Sequence, residues 1–99
     1  MNKVKIDIDF EELIPTFLEN RRKDCVYLRK LLEKRDYEEM RKLGHSIKGV
    51  GYNYGFDVIG DLGKKLEEVV SVKNDLKIKE IASDIENYIE NIDIEFIEN

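Results

Sequence analysis

Apolar residues recur at three- and four-residue steps through four successive stretches of this chain, with short breaks between them. That period belongs to amphipathic helices, each with one face to bury. The first, about 11–34, carries Ile14, Phe17, Leu18, Cys25, Leu28, Leu31 and Leu32, with Pro15 near its start, where a missing N–H costs little. The second, about 36–54, opens on Asp36 with Glu39 three residues on, the spacing of a capping box. Its stripe is Met40, Leu43, Ile47, Val50 and Tyr54. Gly55 is a natural left-handed C-cap, after which Asp57 or a neighbour opens the third helix, about 57–71, through Ile59, Leu62, Leu66, Val69 and Val70. Gly60 and Gly63 on this helix let a neighbouring backbone approach closely. A turn at Lys73-Asn74-Asp75 leads to the fourth, about 75–92, with Ile78, Ile81, Ile85, Tyr88, Ile89 and Ile92. Four such helices on short connections are expected to form an all-α, antiparallel up-down-up-down four-helix bundle.

Both ends leave the helical period. Val4, Ile6, Ile8 and Phe10 alternate with charged residues, as do Ile92, Ile94 and Phe96, which is strand spacing. In such a bundle the chain enters and leaves at one end in opposite directions, so the two extended ends are expected to pair there as a short antiparallel ribbon. Arg21 interrupts the first apolar stripe; its stem is expected to pack while its head reaches an acidic residue on a neighbouring helix. Cys25 is the only cysteine, which excludes an internal disulfide and a cysteine-based metal site, and its stripe neighbours point to a buried structural thiol.

The 99 residues fit one domain, 1–99, too small for separate catalytic and regulatory lobes, so function must use one surface. No apolar run approaches the roughly 20 residues of a membrane span and no signal-peptide block precedes the domain, so a cytoplasmic protein away from membranes is expected. The net charge of -5 conceals an asymmetry: Arg21 to Lys48 holds ten basic residues against five acidic ones, and Glu80 to Asn99 holds seven acidic residues and no basic one. Overall acidity argues against nucleic acid, while the basic half suits an acidic or phosphorylated partner.

That basic half contains His45, the only histidine. At about 100° per residue the second helix gathers its apolar stripe within roughly 80°, and His45 falls about 180° from the middle of it. Arg41 and Lys42 precede it by one turn, Lys48 and Gly49 follow by three and four residues, and Tyr52 shares the face two turns on. A neutral imidazole nitrogen is a competent nucleophile, and Lys48 and Arg41 could stabilise a phosphoryl group attached to it. Gly49 leaves a partner space to close over the ring, and Lys42 and Tyr52 lie where that partner would dock. Three glycines in one helix, Gly44, Gly49 and Gly51, ask for a packing or access explanation, since each costs about 1 kcal/mol relative to alanine. The same face also describes an idle solvated surface, and these residues alone do not choose. A metal role fails on ligand count: there is no second histidine, and Glu38 is two turns away.

The spacing His45-x-x-Lys48-Gly49, followed by Tyr54-Gly55-Phe56, Ile59 and Leu66-Glu67, resembles the histidine-containing phosphotransfer (HPt) domain of multistep two-component signalling. The motifs span roughly 36–68, and the remaining helices suit that family's four-helix bundle. The resemblance implies that His45 is phosphorylated through Nε2, that Lys48 contacts the phosphoryl oxygens, and that Gly49 gives access. It implies a receiver-domain partner, of a response regulator or a hybrid histidine kinase, whose own pocket holds the aspartate and Mg²⁺; no cofactor is expected in this chain. Val50 and Tyr52 depart from the family, whose members often carry small residues just after Lys-Gly; Val50 lies on the core stripe, while Tyr52 points outward and either covers part of the docking surface or contributes to it. The expected protein is therefore a monomeric phosphorelay carrier without independent catalytic activity. Two alternatives are a helical module that docks a regulator or kinase without being phosphorylated, and a kinase dimerisation fragment. The latter is disfavoured because His45 is not followed by the acidic residue and downstream proline of those helices.

Overall fold

A computed structural model describes residues 2–98. Strand β1 (Asn2–Asp7) leads through a 3-10 segment (Ile8–Leu13) into four helices, α1 (Ile14–Lys34), α2 (Tyr37–Tyr54), α3 (Asp57–Ser71) and α4 (Asp75–Asn91), and strand β2 (Ile92–Ile97) closes the chain. The helices form a bundle around one apolar core. Phe17, Leu28, Met40, Ile47, Ile59, Leu66, Ile78, Ile81 and Ile85 are all buried, so each helix contributes the stripe its periodicity marks. Leu18, Leu43, Val50, Tyr54, Leu62 and Val69 pack at the core's edge. No helix among the described residues is long and apolar enough to cross a membrane.

The helix ends follow local chemistry. Arg35 closes α1 in the left-handed region (φ 54°), and the N–H groups of Arg35 and Asp36 donate to the carbonyls of Leu32 and Leu31, both at 3.0 Å. Asp36 then caps α2 by accepting from the Glu39 N–H at 3.2 Å. Only this half of the box forms: the Asp36 N–H is spent on Leu31, and the Glu39 carboxylate turns to Lys42 at 3.3 Å. Gly55 (φ 89°) ends α2, the Phe56 N–H donating to the Gly51 carbonyl at 2.8 Å. Helix α3 opens on Phe56 without a side-chain cap and with Asp57 in its first turn, and Asn74 caps α4 through the Lys77 N–H at 3.2 Å.

Three expectations need correction. The first helix begins at Ile14 rather than near residue 11, because 8–13 wind as the tighter 3-10 form. The ends do pair, but β1 and β2 run parallel, in register from Asn2 opposite Ile92 to Asp7 opposite Ile97. Helix α4 passes into β2 with no intervening residue, whereas six residues separate β1 from α1 and give the chain room to reverse. The whole bundle thus serves as the long crossover that a parallel pair requires. Arg21 does pack, with its guanidinium 4.9 Å from the Phe17 ring centroid, but its partner is Asp24 on the same helix, 2.8 Å away and three residues on. The pairing across helices falls instead to Arg29, whose two terminal nitrogens each donate to a Glu86 oxygen at 2.7 Å and tie α1 to α4.

Cys25 is buried, and that burial, with the nearby Glu86 charge, pushes its thiol up to about 12. A thiolate is then scarce at neutral pH, and alkylation by iodoacetamide is expected to proceed no faster than unfolding exposes the side chain. Rapid labelling of the folded protein, timed against an unstructured thiol peptide, would contradict this.

Candidate functional site

Helices α2 and α3 approach more closely than ordinary side chains allow. A methyl group on Gly51 would lie 2.5 Å from the Gly60 amide nitrogen, and one on Gly44 would lie 3.1 Å from the Gly63 carbonyl oxygen. One on Gly63 would collide with the Lys48 amide nitrogen. Gly44 and Gly51, seven residues apart, thus share a ridge that presses on Gly60 and Gly63. Gly49 is different, because a methyl there would meet nothing within 4 Å. The three α2 glycines therefore divide into two for packing and one that leaves open space beside His45.

This approach brings Glu67 of α3 against the exposed face of α2. Its Oε2 lies 3.4 Å from His45 Nδ1, at the outer edge of hydrogen-bonding distance, and its Oε1 lies 3.0 Å from Lys48 Nζ. The imidazole is 70% exposed, whereas the carboxylate is only 23% exposed. Burial pushes the Glu67 carboxyl up, but the hydrogen bond and charge of Lys48, joined by His45, outweigh it and hold the pKa below the ordinary carboxylate range. A carboxylate facing Nδ1 favours the tautomer with its proton there, which leaves the ring's lone pair on Nε2. Nε2 makes no hydrogen bond or ion pair among the described residues.

His45, Lys48 and Gly49 are thus brought together on one exposed stretch of α2, with Glu67 as a fourth member. Arg41 is exposed one turn before His45 and forms no ion pair among the described residues. Lys42 is exposed but paired with Glu39. Tyr52 remains 41% exposed on the His45 side, and its hydroxyl donates to Asp61 Oδ1 at 2.6 Å. The Asp61 carboxylate, through that hydrogen bond, raises the phenol's pKa. In the sequence Glu67 stands out only as part of the family motif, with no role attached to it. Its contacts depend on how closely α2 meets α3, although glycines seven apart on α2 and three apart on α3 carried a signal of that approach.

The chain matches the family model of the Hpt domain over residues 12–95, a span that contains all four helices and the whole of this site. No curated protein and no solved structure matches it. A family match over this much of the chain, on a four-helix bundle with an exposed histidine at its centre, has one meaning: the chain belongs to the Hpt domain family.

Proposed function

We propose that this protein is a histidine phosphocarrier that exchanges a phosphoryl group between His45 and the aspartates of receiver domains, as members of its family do in phosphorelays. The observation that carries this is the placement of His45 itself: solvent-exposed, with Nδ1 engaged by a carboxylate that also holds Lys48, beside the bare Gly49. The Nε2 lone pair attacks the phosphorus of a receiver's aspartyl phosphate, the N–P bond forms as the P–O bond breaks, and the electrons leave on the aspartate carboxylate. The ring becomes a cation that keeps its proton at Nδ1, where Glu67 offsets the charge. Lys48, with Arg41 one turn away, balances the phosphoryl oxygens, and the reverse sequence delivers the group to a second aspartate. Mg²⁺ belongs to the receiver pocket, where it neutralises phosphate charge during transfer. Receiver domains of response regulators or hybrid histidine kinases are the partners, and a monomer suffices because the site lies within one chain.

The test is incubation with phosphorylated receiver domains and Mg²⁺, followed by assay of acid-labile, base-stable label. Label is expected on the wild type, and its absence across several receivers would sink the proposal. Lys48→Ala should slow transfer about tenfold, roughly the effect of losing one charged contact in an open site, while leaving the thermal midpoint nearly unchanged. Equal transfer rates would remove Lys48 from the phosphoryl site.

A further inference from the structure

Tyr52 is held in a way that ordinary surface tyrosines are not. One side of its ring lies against Gly60 of α3, so closely that a methyl group on Gly60 would collide with its Cγ, Cδ1 and Cε1 atoms. Its hydroxyl is committed to Asp61 at 2.6 Å. The ring is therefore fixed at both edges while 41% of the residue still faces solvent, and with its hydrogen-bonding group engaged the surface it offers is largely apolar. Helical spacing sets Tyr52 two turns, about 10 Å, beyond His45. Between them lies Gly49, with open space where a side chain would stand. His45 and Tyr52 thus bracket an open notch over the bare backbone of Gly49, while Lys48, also between them, is turned to Glu67.

We propose that Tyr52 is a specificity-determining contact of the phosphotransfer site, a preset aromatic wall against which the docking receiver domain seats an aliphatic side chain in the notch over Gly49. This rests on the phosphocarrier reading and names what that reading leaves open, the kind of receiver surface the site selects. The remainder of the exposed α2 face offers mainly charged or polar groups: Arg41, Lys42, Ser46 and Asn53. Tyr52 is its one large apolar contact, and an immobilised aromatic loses little entropy on binding. A receiver with a charged residue at the matching position would have to desolvate that charge against the ring without a partner.

Two phosphodonors separate docking from chemistry. Phosphoramidate, too small to reach Tyr52 and His45 together, labels the histidine without protein docking, whereas a phosphorylated receiver domain must seat on α2. With the receiver that labels wild type fastest, Tyr52→Ala should raise KM about tenfold or more, in the range of a docking hot spot, while phosphoramidate labelling stays within about twofold. Tyr52→Phe keeps the ring and should restore most of the affinity. Gly60→Ala, which displaces the ring while retaining it in the chain, should behave like Tyr52→Ala. Unchanged KM in Tyr52→Ala, or a phenylalanine variant as impaired as the alanine one, would overturn the proposal. Failure of both donors to label wild type would overturn the phosphocarrier reading itself, and this inference with it.

Discussion

Replacing His45 with glutamine is expected to reduce phosphoryl labelling by at least about a thousandfold while leaving the fold in place, the loss being that of a nucleophile rather than of a contact. Glutamine keeps polarity and approximate size but has no lone pair able to form the N–P bond. The structural consequence should be slight: the imidazole is 70% exposed and its one ion-pair partner among the described residues is Glu67, at 3.4 Å, so stability should stay within about 0.5 kcal/mol of wild type. Labelling by a phosphorylated receiver and by phosphoramidate, alongside a thermal melt, checks both halves. Residual base-stable label in the variant would have a specific meaning. With the only histidine gone, the side-chain nitrogen that shares its carboxylate partner is Lys48 Nζ, paired with Glu67 at 3.0 Å. An ammonium has no lone pair with which to attack, so little label is expected there. Label at wild-type levels would move the acceptor away from His45 and end the phosphocarrier assignment as drawn.

What the sequence could and could not convey follows from which interactions are local. The exposure of His45 was legible because it depends only on helical rotation relative to Met40, Leu43, Ile47, Val50 and Tyr54. The caps at Asp36 and Gly55 were legible for the same reason, since each acts within four residues of itself, whereas around Asn74 the residues marked a turn and the structure adds the cap. Arg21 was misread by supposing that a charge in an apolar stripe must find its partner across helices, when Asp24 stood one turn away. The direction of the terminal ribbon depended on whether 8–13 continued the strand or turned, and the alternation of Ile8 and Phe10 favoured the wrong answer. Ile8 is 40% exposed, so its apolar character did not mark a buried strand position. Glu67 lay beyond local reasoning altogether: its place beside His45 and Lys48 is set by backbone contact between α2 and α3, and a helical wheel describes one helix at a time.

That backbone contact yields the second large effect, and its sign depends on which glycine is changed. Gly63→Ala should destabilise the protein by about 2–3 kcal/mol, net of the roughly 1 kcal/mol that alanine gains in helix propensity. The added methyl would collide with the Lys48 amide nitrogen and lie 2.8 Å from the Lys48 Cα and 2.9 Å from the Gly44 carbonyl oxygen. These are backbone atoms, which cannot rotate aside, so the helices themselves must part. Parting α2 from α3 draws Glu67 away from His45 and Lys48, and phosphotransfer should slow along with the fall in the urea midpoint. Gly44→Ala should cost less, because its contacts at 3.1 Å demand a shift of only a few tenths of an ångström. Gly49→Ala should reverse the sign. Its methyl meets nothing within 4 Å, so helix propensity alone operates and stability should rise by up to about 1 kcal/mol. Transfer from a receiver domain should nevertheless slow, since the methyl occupies the space proposed for the partner's side chain, whereas phosphoramidate labelling should hold. Urea melts and both labelling rates across the three variants test the division of labour. A Gly63→Ala protein as stable as wild type would show that the helices can separate at little cost. A Gly49→Ala protein with unaltered receiver kinetics would show that the space beside His45 is not what a partner uses.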